Sequence, residues 1–265
     1  MKIRVRMTIL LQVKDLCKNY RRSAGFFRST IHNAYGPLNF TLEKGETLSL
    51  VGESGSGKSS LVKSIAGLRA QSSGEIYLHG QSLEDISQQQ RCQSIRMIFQ
   101  DPSDSLNPKA TIRRILGAPL ELNSDLSMAD RDQQLQETLD LVGLQTTYLD
   151  FYPNMLSAMQ QHQVAIARAM ILNPDIVVAD EIFATLDISL RFKIVNLLLD
   201  IQRKKGLSYI FVAHNMNLVR HMSDRVIVMH KGKIIENNSS EAIFNDPQNS
   251  ITKFLLQSHA PDYKK

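Results

Sequence analysis

Apolar and polar positions alternate along this chain in a way that predicts strands and helices in turn. Residues 8–13 (TILLQV) and 38–42 (LNFTL) have the length and composition of strands. The first follows a basic N-terminus, and the stretch reads as an edge strand. Between them, residues 19–36 (NYRRSAGFFRSTIHNAYG) are basic, aromatic and broken by glycine, match neither regular period, and read as a loop. ETLSLVG (46–52) predicts a short buried strand that runs through a Gly/Ser loop into a helix, SSLVKSIAGL. EIYLHG (75–80) and IRMIFQ (95–100) predict two more strands, the second ending at the turn DPSDSLNP. From about residue 111 to 156 apolar residues recur at helical spacing, as in IRRILGAPLEL and DQQLQETLDLVGL, and this predicts a helical insertion. A helix follows over 160–172. DIVVAD (175–180) and YIFVAH (209–214) are β-branched apolar runs of the buried parallel-strand type, with a helix over 188–205 between them. RVIVMHKGKIIENN reads as a hairpin turned at Lys231-Gly232, and a short helix precedes the charged end. Strand and helix alternating around apolar central strands define an α/β fold with a mainly parallel sheet.

Composition narrows this only a little. The 265 residues are 43% hydrophobic and 22% charged, ordinary values for a globular chain with a sizeable core. The net charge of +5 suits an anionic partner such as a nucleotide, or a negatively charged membrane surface, and does not by itself point to nucleic acid. Cys17 and Cys92 are far apart, with no CxxC and no His/Cys cluster, as expected of reduced thiols in a cytosolic protein. No apolar run reaches the roughly 18 residues that cross a bilayer. The first residues lack a small-residue cleavage site and do not read as a signal peptide. Met7 is an alternative start that would make residues 1–6 an extension; both starts stay open.

The chemistry lies at strand ends. Gly52-Glu53-Ser54-Gly55-Ser56-Gly57-Lys58-Ser59 fits GxxxxGK[ST], and it stands after a predicted strand and before a predicted helix. Glycines let successive N–H groups turn toward phosphate oxygens, and the helix N-terminus adds its positive end. Lys58 is placed to reach the β- and γ-phosphates, and Ser59 to ligate Mg²⁺. Asp180 and Glu181 end an apolar strand, at the edge where open α/β sheets bind ligands. Asp180 suits Mg²⁺ through its water shell, and Glu181 suits the proton of an attacking water. Alone, such a pair is more simply a cap for the next helix. Gln100 and His214 also end predicted strands. Gln100 is a candidate ligand for Mg²⁺ or the water, and His214 a candidate partner of the γ-phosphate.

The order of these motifs resembles the ATP-binding subunit of ABC transporters over essentially the whole chain. That resemblance implies a P-loop NTPase (RecA-like) core, an N-terminal antiparallel β subdomain and an inserted α-helical subdomain. It makes residues 1–265 one ATPase domain, with the insertion at about 105–160 and a helical tail at about 240–265. Carried over residue by residue, Gln100 is similar to the Q-loop glutamine, Leu156, Ser157 and Gln160 to the signature, Leu186 and Asp187 to the D-loop, and His214 to the switch histidine. Ala184 and Thr185 stand where the family often has Ser-Ala. Ser60 extends the phosphate loop. Tyr20 resembles the aromatic that stacks on adenine, and core packing is the competing reading of that ring. RMIFQDPSDSLNP and FNDPQNSITKFLL resemble the peptide-importer branch, and PLELNSDL and YPNML are most similar to subunits of the antimicrobial-peptide transport systems within it. The branch's cysteine-bearing C-terminal extension is missing, and with it any case for an iron–sulfur cluster.

The resemblance implies ATP and Mg²⁺ as cofactors. The partners it implies are a related ATP-binding subunit in a heterodimer, two transmembrane permease subunits and, indirectly, a periplasmic solute-binding protein, with no nucleic acid. The location it implies is peripheral, on the cytoplasmic face of a bacterial inner membrane. In such dimers each ATP lies between one subunit's phosphate loop and the other's signature. Here the signature reads Leu156-Ser157-Ala158-Met159-Gln160, with Ala158 and Met159 where the family has glycine. If either position needs φ > 0, the cost is about 1–2 kcal/mol per residue; if the backbone is ordinary, the cost is small. The expectation is a mixed dimer whose fully active site uses this chain's phosphate loop. Two other readings compete: a soluble ABC ATPase acting on DNA or ribosomes, which typically carries coiled-coil arms or tandem domains not seen here, and a regulatory subunit with impaired hydrolysis.

Overall fold

The structure, a computed structural model, describes residues 8–23, 29–100, 105–184 and 186–258. It divides into two compact units, Met1–Ile86 with Ser208–Lys265, and Ser87–Leu207.

The first unit holds two layers of strands. β1 (Ile9–Ser23) pairs antiparallel with β2 (Ser29–Glu43) on one side and with β4 (Ser73–Leu78) on the other; β5 (Gln81–Ser82) follows β4. β1 is therefore interior to its sheet, which corrects the expectation of an edge strand. Leu11, Val13 and Leu16 face Leu38, Phe40 and Leu42 in its core. The expected loop at 19–36 is also corrected. Asn19, Tyr20 and Arg21 pair with Asn33, His32 and Ile31, so most of the stretch is a two-stranded ribbon. Asn19, Arg21, Ile31, His32 and Asn33 are all exposed there. With neither face buried, no alternation of polar and apolar residues marks the strands.

In the second layer, β3 (Thr47–Val51) lies parallel between β8 (Ser208–Val212) and β9 (Arg225–His230), and β10 (Lys233–Ser239) returns antiparallel beside β9. β3 and β8 are buried along their whole length, and Thr47, Ser49 and Ser208 are buried among their apolar residues. α1 (Lys58–Ile65) follows β3, and α7 (Met216–Met222), α8 (Ser240–Asn245) and α9 (Ser250–Ser258) complete the unit. Val51, Val219, Val226, Val228, Ile243 and Leu255 form one of its apolar clusters.

The second unit begins with α2 (Gln88–Ser94), which enters β6 (Ile95–Ile98); β6 pairs parallel with β7 (Ile176–Asp180). Between them come α3 (Ile112–Asn123), α4 (Met128–Leu141), two single 3₁₀ turns and α5 (Ala158–Met170). Thr111 and Ser127 cap α3 and α4, their side chains accepting the N–H groups of Arg114 and Asp130. Val164, Ala165, Ile166, Ala167, Ala169 and Met170 of α5 are all buried, so this helix is central to the unit. α6 (Ile188–Lys205) starts at Asp187, whose side chain accepts the Leu190 N–H at 2.9 Å, and stops at Gly206 with φ +66°. Among the described residues no helix is long and apolar enough to cross a membrane. Cys17 and Cys92 are free thiols.

Candidate functional site

The predicted site residues fall into two groups, one in each unit.

In the first unit, β3 ends at Val51 and the chain turns through Gly52–Ser59 into α1. Two glycines are demanded by space and conformation together. Gly52 has φ +145°, and a Cβ there would stand 2.1 Å from the Met229 carbonyl oxygen; Gly57 has φ +102°, with the Ala34 oxygen 2.4 Å away. Gly57 is the N-cap of α1, with no side-chain cap and no acidic residue in the first turn. The helix N-terminus therefore keeps its partial positive charge unopposed, which fits an anion. Lys58 is 4% exposed. Its Nζ donates to the carbonyls of Gly52 (2.7 Å) and Glu53 (2.8 Å) and to Ser56 Oγ (3.3 Å). Glu53, Ser54 and Gly55 form the exposed rim, while Ser59 and Ser60 are half-buried in the first turn.

His214 is brought to this loop by sheet pairing. Leu50 is in register with Val212, and the Ala213 N–H donates to the Leu50 carbonyl at 3.3 Å, so His214 leaves β8 at the end where the loop leaves β3. Its side chain is exposed. Tyr20 is half-buried, not a core residue. Its hydroxyl donates to Ser60 Oγ at 3.4 Å and accepts from Arg69 at 3.0 Å. Lys18 Nζ and Arg69 Cζ lie 5.2 and 5.6 Å from its ring centroid. Partial burial alone would raise the phenol's pKa; the Ser60 and Arg69 hydrogen bonds and the two cations outweigh it and hold the group below its ordinary value. Lys18 stands two residues from Tyr20 on the same strand, while Arg69 reaches the ring only because the chain after α1 returns to it.

In the second unit, Ile98 and Ala179 are register partners, so Gln100 and Glu181 leave the β6–β7 pair at the same end. Gln100 is exposed, and Asp180 is 6% exposed. Glu181 has φ +53°, an unusual backbone for a residue with a side chain, and such outliers gather at functional positions. No helix begins at this pair, so the capping alternative falls. The segment 101–104 after Gln100 and Thr185 lie outside the described residues.

The segment Leu156 to Gln160, which resembles the signature, is also in this unit. Ser157 caps α5 in a capping box: the Gln160 N–H donates to Ser157 Oγ at 3.4 Å, and Gln160 Oε1 accepts the Ser157 N–H at 2.9 Å and its hydroxyl at 3.0 Å. Gln160 Nε2 donates to the Tyr148 hydroxyl at 2.8 Å. Ala158 and Met159 occupy the first turn of α5, and neither has a positive φ. The conditional cost of a left-handed backbone at these positions is therefore absent. Leu156 and Leu186 are buried, and Arg191 Nε donates to the Leu186 carbonyl at 2.7 Å.

Among the described residues no group of three or more His, Cys, Asp or Glu side chains is arranged to hold a metal ion. Ser59 in the first unit and Asp180 in the second each carry a hard oxygen of the kind magnesium takes.

A glycine-shaped phosphate loop, an uncapped helix end and a lysine inside the loop define a nucleotide-binding protein of the P-loop class. The ABC transporter family model matches residues 35–184, and the chain belongs to that family of ATP-binding, ATP-hydrolysing subunits. It is 43% identical over 250 residues to the putrescine export system ATP-binding protein SapF of Escherichia coli K12, covering 94% of this chain and 93% of the relative. The same identity and coverage hold for the peptide transport system ATP-binding protein SapF of Shigella flexneri. Among solved structures, the dimeric ATP-binding cassette MJ0796 in a post-hydrolysis state with ADP and Pi matches with a TM-score of 0.75 and 28% identity, covering 87% of this chain and 99% of that one.

Proposed function

We propose that this chain is the ATP-hydrolysing subunit of a membrane transporter that takes up peptides, of the antimicrobial-peptide type. The observation that carries the nucleotide part is the loop Gly52–Ser59, shaped by glycines that cannot bear a side chain and leading into an uncapped helix. The peptide cargo is supported by the FQDP-x-x-SLNP segment and by the peptide-transport name of one relative; the putrescine name of the other makes cargo the point to test.

In this reading the two units work as one ATPase domain. Lys58 exchanges its carbonyl partners for phosphate oxygens, and the loop N–H groups and Ser60 hold the remaining charge. Ser59, Asp180 and Gln100 hold Mg²⁺, which when bound neutralises developing charge on the phosphates. Glu181 accepts the proton of the attacking water, His214 orients it, and Tyr20 stacks on adenine. The subunit pairs with a related ATPase, each signature completing the other's site. It docks on two permease subunits at the cytoplasmic face of the inner membrane, with a periplasmic solute-binding protein delivering cargo.

Lys58→Ala is expected to abolish nucleotide binding, and Glu181→Gln to keep binding while removing hydrolysis. Unchanged phosphate release in both variants would overturn the assignment.

A further inference from the structure

The phosphate loop is tied to the end of β9. The Gly232 N–H donates to the Ser56 carbonyl at 3.1 Å, and Gly52 packs against the Met229 carbonyl. His230 stands between Met229 and the turn at Lys231-Gly232. Its Nδ1 is shut off from water and lies 3.4 Å from Glu53 Oε2, within ion-pair reach but outside hydrogen-bond geometry. The His230 side chain is 22% exposed and that of Glu53 51%. Glu53 is the one carboxylate in the loop from Gly52 to Ser59. Its carbonyl accepts from Lys58 Nζ and, at 3.2 Å, from the Ser56 N–H, so its backbone helps set the loop's closure.

We propose that His230 is a positioning residue for the phosphate loop, acting through Glu53, and that its protonation tightens nucleotide binding. This rests on the reading of Gly52–Ser59 as the nucleotide site. A neutral ring with its proton on Nε2 turns a lone pair toward the carboxylate and leaves Glu53 to face an incoming polyanion uncompensated. The imidazolium donates from Nδ1, neutralises Glu53 and fixes it away from the phosphates. By linkage, bound nucleotide favours the same protonation.

Charged or titratable groups on the elements around His230 include Lys58 in the loop, Arg225 on β9, Lys231 in the turn, Lys233 (opposite His230) and Glu236 on β10, and His32, Tyr35 and Glu43 on β2. Lys58, Lys231 and Lys233 are kept in every variant below, so their contribution is common to all of them. Tyr35, pushed up to about 12 by burial, does not titrate in that range. His32 is exposed and is kept in every variant below.

The test is the dissociation constant of a fluorescent ATP analogue with Mg²⁺ on the full chain. It is measured about one pH unit below and about 1.5 units above the ordinary imidazole value near 6.5. The unmodified chain is expected to bind up to about fivefold tighter at the lower pH, the scale of a partly exposed charge pair. His230→Gln and Glu53→Gln should each remove most of that slope, and the double variant little more. The nucleotide's own titration is common to all of them and cancels. Should His230→Gln not fold, the half-exposed Glu53→Gln carries the comparison. Weaker binding of His230→Gln by the same factor at both pH values, with the slope intact, means a structural role and overturns the proposal. No binding by the unmodified chain at any pH defeats the nucleotide-site reading itself, and this inference with it.

Discussion

Restoring glycine at both altered signature positions, Ala158→Gly with Met159→Gly, sets two effects against each other. Both residues lie in the first turn of α5 without positive φ, so no left-handed strain is stored there. What remains is bulk: Ala158 is exposed and Met159 half-exposed, beside N–H groups that in our reading face the partner's γ-phosphate. A displaced phosphate contact is worth about 1–3 kcal/mol, or roughly 5- to 150-fold in rate. Against this, glycine costs a helix about 1 kcal/mol per site, so the double variant should lose about 1–2 kcal/mol of stability. The assay is ATP hydrolysis by the assembled mixed transporter with Glu181→Gln in this chain, so that turnover reports the site completed by its signature. The double glycine variant should raise turnover about ten- to a hundredfold while Tm falls by a few degrees. A lower Tm with no gain in rate would refute the claim that these side chains obstruct the site. A gain far above about 10³-fold would require strain that the helix does not contain.

Glu181→Gly should abolish hydrolysis yet raise stability by up to about 1 kcal/mol, because φ +53° is unfavourable for a side-chain-bearing residue; a lower Tm would contradict this. Tyr35 is fully buried, donates to Ser64 Oγ at 2.7 Å, and has its phenol pushed up to about 12 by burial. The unfolded chain loses that proton near pH 10 and the folded chain does not. Stability should therefore fall between about pH 10 and pH 12, by up to about 2–3 kcal/mol. Denaturation midpoints for Tyr35→Phe should show a shallower alkaline decline, and an unchanged decline would exclude Tyr35 as its source.

The site was legible where its chemistry is local. The phosphate loop needs glycine, lysine and serine at fixed spacing between a strand and a helix, and Gly52 and Gly57 have the contacts that make this so. Asp180 and Glu181 were marked by the apolar run before them. The β1–β2 ribbon was not legible, because its pairing is cross-strand and its residues are exposed on both faces. α2 was missed although Ser87 and Gln90 form a capping box there; none of its residues is buried, so no apolar stripe signals it. α7 was missed as well, its Asn215 cap directly following His214. His230 reaches Glu53 through the parallel pairing of β3 with β9, a contact between residues 177 positions apart in the chain (230 − 53) that no local pattern encodes.

The central claim of our proposal is that this chain owns the working catalytic site of a mixed pair: in that reading its loop, Asp180, Glu181 and His214 are the catalytic groups, and the segment read as its signature carries Ala158 and Met159 in place of glycine. The most direct measurement is steady-state ATP hydrolysis by the assembled transporter, comparing Glu181→Gln in this chain with the equivalent change in its partner ATPase. We predict that Glu181→Gln removes nearly all turnover and that the partner's change is mild. If the partner's change is the one that stops hydrolysis, the signature from Leu156 to Gln160 still functions and the claim is wrong.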